Sequence, residues 1–199
     1  MLRLRLLARS ILGSVSLAVG TREAKHMVRV LMDDVVETDY GQLDLWFSDD
    51  VEDDGDIQTT FSGQVNGLAG AAIPGRIYLN LGRRSGGSPV RIEAHEGVTP
   101  CDVEWEDVVE VSTVVGEQGK CGWTSWASES GGQFVLSPGP HRLRVCARGR
   151  DAGDEDELAN EAVDFYLIQL WPAPVEPDAI LRVGSSNARY WHETWGSNR

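Results

Sequence analysis

Apolar and polar residues alternate with a period of two along most of the chain. Leu43, Leu45 and Phe47 alternate with Gln42, Asp44 and Trp46, and Ile77, Leu79 and Leu81 with Tyr78 and Asn80. Val90, Ile92 and Ala94 alternate with Arg91, Glu93 and His95. Successive side chains of a strand point to opposite faces, so each segment predicts a strand with one buried side. Residues 107–115, DVVEVSTVV, form a β-branched run that suits a strand better than a helix. Further strands are predicted at 28–32, 122–127, 133–137, 141–147 and 163–171, separated by turn chemistry at 82–89 (GRRSGGSP), 116–119, 130–132, 138–140 and 172–177. Helical signals are few. A short helix is allowed within 151–162, although 154–157 read as an acidic loop, and SSNARYWHETW at 185–195 allows one or two turns. The pattern predicts an all-β fold: an antiparallel β-sandwich or jelly-roll-like barrel with a short C-terminal helical turn.

Charge divides the chain. The 199 residues carry 18 basic and 31 acidic groups, a net charge of −13. Residues 1–26 account for +4 and residues 27–199 for −17. The basic leader has an interrupted apolar stretch and no clean small-x-small cleavage site, and it is too short in apolar residues for a membrane anchor. An upstream extension, with Met27 opening a single acidic domain over 27–199, is the reading that fits best; an export signal and an amphipathic surface segment are the alternatives. Three cysteines, Cys101, Cys121 and Cys146, are odd in number, with no Cys-x-x-Cys pair. They fit buried thiols in a reducing, cytoplasmic setting, with one disulfide plus a free thiol as the alternative. The acidity argues against direct nucleic-acid binding, whose phosphate contacts need Lys and Arg.

The densest chemistry is acidic. Asp49, Asp50, Glu52, Asp53, Asp54 and Asp56 crowd into one segment. Its start resembles a calcium loop, but Phe61 stands where a bidentate Glu is required, so no metal and no cofactor is expected. The stretch from Val30 to Gly75 holds eleven acids and neither Lys nor Arg. Unneutralised charge of this size favours a basic protein surface as partner, of which a nucleic-acid-binding groove is one example. A solvated acidic loop is the plainer alternative. On the strand HRLRVCARGR, Arg142, Arg144, Arg148 and Arg150 share a face with Cys146, a ladder that Glu110 or Asp164 is placed to neutralise. The four histidines show no metal-ligand spacing. A pocket formed by His95, His141 and Cys146 is the alternative site, serving small-molecule binding or hydrolysis. GEQGKC at 116–121 lacks the spacing of a phosphate loop, and Trp123 and Trp126 do not share a strand face for a stacking platform.

DVVEVSTVV, then GQFVLSPGPHRLRVCARGRD, an acidic stretch and VDFYLIQLWPAP follow one another in an order that resembles the bacterial competence protein J family. The resemblance covers roughly residues 75–172. It implies a β fold without catalytic machinery and a role in inhibiting a nuclease of DNA uptake. The chain departs from the family by its basic leader, its 49–56 loop and its tail, PVEPDAILRVGSSNARYWHETWG.

Overall fold

The computed structural model describes residues 28–49, 51, 56–156 and 161–197, so the basic leader lies outside the described residues. Two sheets pack face to face. One runs β1 (Arg29–Thr38), β5 (Gly86–Ala94), β10 (Phe165–Pro172), β9 (Gly139–Arg148), β6 (Asp107–Val115) and β11 (Ala179–Arg182). The other runs β3 (Ala69–Gly70), β4 (Arg76–Asn80), β2 (Gln42–Trp46), β7 (Lys120–Ser125) and β8 (Gly131–Val135). Pairing is antiparallel except between β5 and β10, which run parallel. Three short α-helices, α1 (Ile57–Thr60), α2 (Arg150–Glu155) and α3 (Ser186–Thr194), and a 3-10 turn at Trp126–Ser128 complete the described residues.

The alternation read from the sequence sets the two faces. Leu43, Leu45, Ile77, Leu79 and Cys121 point inward from the second sheet and meet Val90, Ile92, Val109, Val111, Leu143, Val145, Ile168 and Leu170 from the first. Each fully buried aliphatic side chain here contributes about 1.5–3 kcal/mol of hydrophobic stabilisation. The all-β sandwich is therefore the observed fold. Several boundaries differ from the expectation. The segment 82–89 is not all turn, because Gly86 to Pro89 already pair with β1 as the start of β5. Proline is tolerated there: a parallel partner begins only at Val90, leaving the Pro89 nitrogen outside that ladder. Strands β3 and β11 are too short, and helix α1 too brief, for a periodic signal.

The end of the sandwich where β5 and β10 start is closed by buried polar groups. Gly149 adopts φ +74°, a left-handed conformation that suits glycine, and a Cβ there would lie 2.1 Å from the Val163 carbonyl oxygen. This break turns Arg150 off the arginine ladder and into the interior, where it is 1% exposed. Its guanidinium donates to the Asn80 carbonyl at 2.6 Å and to Asn187 Oδ1 at 2.6 Å. Asp164 does not meet the ladder either. It shares the inward parity of Tyr166 and Ile168, and it accepts from Ser88 Oγ at 2.7 Å, the Tyr166 hydroxyl at 2.8 Å and the Arg83 amide at 3.2 Å. Asp107, fully buried, accepts from the Gly184 and Ser185 amides and from Ser185 Oγ, fixing the approach to α3. Ser185 then caps α3 by accepting from the Ala188 amide at 3.0 Å.

Helix α3 carries a buried histidine. His192 Nδ1 accepts from the Gly67 amide at 3.0 Å, which requires a neutral ring. Burial, reinforced by the Arg150 charge and opposed by Asp107 and Asp178, lowers its pKa from 6.5 to about 4. An unfolded chain takes up this proton near pH 6.5, whereas the folded chain refuses it until about pH 4. The stability is complete above pH 6.5 and is lost as pH falls through that interval. A urea series between pH 7 and 5 is expected to show a falling midpoint, and His192→Gln, which keeps an acceptor for Gly67, is expected to flatten the fall. Equal slopes for both proteins would remove His192 as the cause.

Candidate functional site

The opposite end of the sandwich gathers the start of β1, the ends of β2, β5, β6, β8 and β10, and the starts of β7 and β9. Here β2 runs out into the acidic segment. The exit is pinned by the backbone: the Phe47 amide donates to the Gly75 carbonyl at 2.7 Å, and the Gly116 amide donates to the Phe47 carbonyl at 2.8 Å. Asp49, the first acid, is exposed and lies 3.7 Å from Lys120 at the start of β7. A pair this exposed is worth well under ~1 kcal/mol and leaves Asp49 available to a partner. Asp56 closes the segment by accepting from the Gln58 amide at 2.9 Å, capping α1. Asp50, Glu52, Asp53 and Asp54 lie outside the described residues.

The wider arginine-free stretch does not form one surface. Asp33 sits on β1 of the first sheet and pairs with Arg91 at 2.5 Å. Asp44 sits on β2 of the second sheet, 9% exposed, with both Nε and Nη2 of Arg76 on its Oδ1 at 2.9 and 2.8 Å. Asp39 accepts from Ser85 Oγ at 2.7 Å. The residue that neutralises Asp44 stands just beyond the stretch, across the strand pair Trp46–Arg76, a partnership that a linear charge count does not see. The acidic feature therefore contracts toward the segment that begins at Asp49.

Beside Asp49 lies an open cavity of about 450 Å³, lined by Asp44, Trp46, Val51, Arg76 and Thr124 among others. The Trp46 ring lies over Gly122, whose missing side chain makes room for it: a Cβ there would fall 2.3 Å from Trp46 Cζ2. A partly exposed indole, the exposed Asp49 carboxylate and the paired Asp44 and Arg76 thus line one concave surface.

The alternative pocket forms only in part. His95 and His141 line one cavity of about 380 Å³, walled by Val28, Ala94, Leu136 and Leu170. His95 Nε2 is 3.0 Å from Glu93 Oε2, and its Nδ1 has no hydrogen-bond partner among the described residues. His141 holds Nδ1 at 3.0 Å from the Gly139 carbonyl, with Nε2 3.5 Å from Ser137 Oγ. Cys146 is absent from this cavity. It lies five residues along β9 from His141, about 17 Å in a strand, and its odd separation turns it to the other face.

That other face bears the ladder. Glu110 on β6 receives Arg142 at 3.1 Å and Arg144 at 2.8 Å, all three largely buried. Arg142 also donates to the Glu176 and Pro177 carbonyls at 3.1 and 3.0 Å, and Arg144 to the Thr99 carbonyl at 2.6 Å. Arg148 pairs with Glu104 at 3.3 Å and lies over the rings of Trp105 and Phe165. The ladder fastens the covering loops 96–106 and 173–178 to the sheet. It is structural, as cross-strand pairing by Glu110 predicts. Among the described residues no helix is long and apolar enough to cross a membrane, and no group of three or more His, Cys, Asp or Glu is placed to hold a metal ion.

No protein-family model matches the chain, and no curated protein matches it in sequence. Solved structures do match its fold. ComJ from Bacillus subtilis, described as an inhibitor of the DNA-degrading activity of NucA, aligns at a TM-score of 0.51 and 17% identity, covering 74% of this chain and 99% of that one. The product of crocagin biosynthetic gene J aligns at 0.47 and 14% identity, covering 74% and 99%. The chain thus has a ComJ-like sandwich, in keeping with the resemblance to the competence protein J family.

Proposed function

We propose that this protein is a non-enzymatic cytoplasmic binding protein that restrains a basic partner enzyme of the nuclease kind. The observation that supports the reading is the position of Asp49, the first acid of the segment. The segment leaves β2 at Asp49, at the open end of a ComJ-like sandwich and beside the cavity over Trp46. Asp49, Asp50, Glu52, Asp53, Asp54 and Asp56 form the docking segment, and they occupy the surface on which the partner would hold phosphates. The ComJ likeness supports an inhibitory outcome, since ComJ is described as inhibiting a DNA-degrading activity.

The test is capture of partners from native cytosol on the immobilised full chain, with elution by a step from about 0.05 to 0.5 M salt, which shortens the Debye length several-fold. The eluate is expected to degrade DNA, and readdition of the free protein is expected to stop it. Charge reversal of Asp49, Asp50, Glu52, Asp53 and Asp54 to Lys is expected to lower recovery about 100-fold. An eluate without nuclease activity, or equal recovery on the reversed variant, would sink the reading.

A further inference from the structure

We propose that Cys101 and Cys146 form a reversible oxidation site, closing to a disulfide when a hydroperoxide is present. The two sulfurs lie 3.8 Å apart, in contact, although they are separated by 45 positions in sequence. Cys146 is fully buried on the outer face of β9, while Cys101 is partly exposed on the loop that covers it. The loop is not laid there by chance contact. Arg144 holds the Thr99 carbonyl at 2.6 Å, and Arg182 holds the carbonyls of Asp102, at 2.9 Å, and Trp105. Residues on both sides of Cys101 are therefore anchored to strands, which keeps its sulfur over that of Cys146.

The division of roles follows from exposure. Cys101 is the sulfur that a solute reaches, so it takes the first step: its thiol is oxidised by the hydroperoxide to a sulfenic acid, and water or an alcohol leaves. Cys146 then attacks that sulfur, its proton joins the departing hydroxyl, and one water leaves as the disulfide forms. Two thiols have lost two electrons and two hydrogens, and the peroxide has taken them up. A cellular dithiol reverses the bond by exchange. Burial and the neighbouring Cys101 raise the Cys146 pKa, while Arg144 and Arg182 pull against that shift. This keeps Cys146 a resting thiol until a sulfenic acid appears beside it. Forming a bond of about 2.05 Å requires the two sulfurs to approach from 3.8 Å. Cys121 stands apart on β7 of the other sheet, donating to the Gly119 carbonyl at 3.6 Å. It serves as an internal control.

The experiment exposes the reduced full chain to hydrogen peroxide at neutral pH and counts thiols after denaturation. The count is expected to fall from three to one. Mass should fall by about 2 Da for one disulfide, and a non-reducing digest should yield a peptide joining Cys101 to Cys146. The oxidised protein is expected to melt about 5–10 °C higher than the same sample after dithiothreitol, because the closed loop restricts the unfolded chain. Cys101→Ser, at a half-exposed position, should abolish the linked peptide, while Cys121→Ser should leave it intact. Three titratable thiols after treatment, a link that includes Cys121, a covalent dimer, or Cys101 ending as a sulfinic acid with Cys146 free would each overturn the proposal.

Discussion

Asp164→Ala is expected to remove about 4 kcal/mol of folding stability, as measured by urea denaturation at pH 7. The side chain is wholly buried and accepts three hydrogen bonds, from Ser88 Oγ, the Tyr166 hydroxyl and the Arg83 amide. Alanine leaves these donors without water to replace it, and each orphaned buried group costs about 1–3 kcal/mol. The loss is at least about a quarter of the roughly 5–15 kcal/mol that native domains commonly have. Asp164→Asn separates shape from charge. Its oxygen can keep Tyr166 and the Arg83 amide while its amide donates to Ser88, whose hydroxyl turns to accept. The asparagine variant is therefore expected to lose about half as much or less. A variant pair with equal losses would mean that the carboxylate charge, felt by the buried guanidiniums of Arg83 and Arg150, outweighs the hydrogen bonds.

Sheet-forming residues were legible in the sequence because burial on one face writes itself as strict alternation. DVVEVSTVV spans the same residues as β6, and the inward set Leu143, Val145 and Ala147 on β9 follows from parity alone. Glu110 as partner of the ladder was legible for the same reason. What parity cannot carry is a change of backbone direction. The left-handed Gly149 turns Arg150 inward, where an unbroken strand would have kept it on the ladder. The candidate site was legible only as a linear crowd of acids. Its concave neighbour is made by Trp46, Arg76 and Thr124 from three strands, and no local pattern announces a cavity assembled across a sheet. Gly122 was the available signal: a glycine inside a strand marks a place where something approaches closely, here the Trp46 ring. The contact between Cys101 and Cys146 was likewise out of reach, because it depends on where Arg144 and Arg182 hold a loop.

Glu110→Ala is expected to cost about 3–5 kcal/mol, since it strands two buried guanidiniums without their carboxylate. The more informative variant replaces the whole triad, with Glu110→Leu, Arg142→Met and Arg144→Met. Hydrophobic side chains of similar volume spare the desolvation of three charges, and such replacements are commonly neutral or stabilising. If the triad only filled the outer face, the triple variant would match the parent in every respect. The guanidiniums also hold the carbonyls of Thr99, Glu176 and Pro177, and methionine cannot donate to them. Global stability is therefore expected to return to within about 2 kcal/mol of the parent, while amide hydrogen exchange in 96–106 and 173–178 accelerates at least about tenfold. Faster loop exchange at restored global stability would separate holding the loops from stabilising the sheet. The triple variant also removes one of the two anchors that hold Cys101 over Cys146, leaving Arg182, so it should form the disulfide more slowly than the parent. Unchanged exchange in both loops would show that the arginines are not what fastens them.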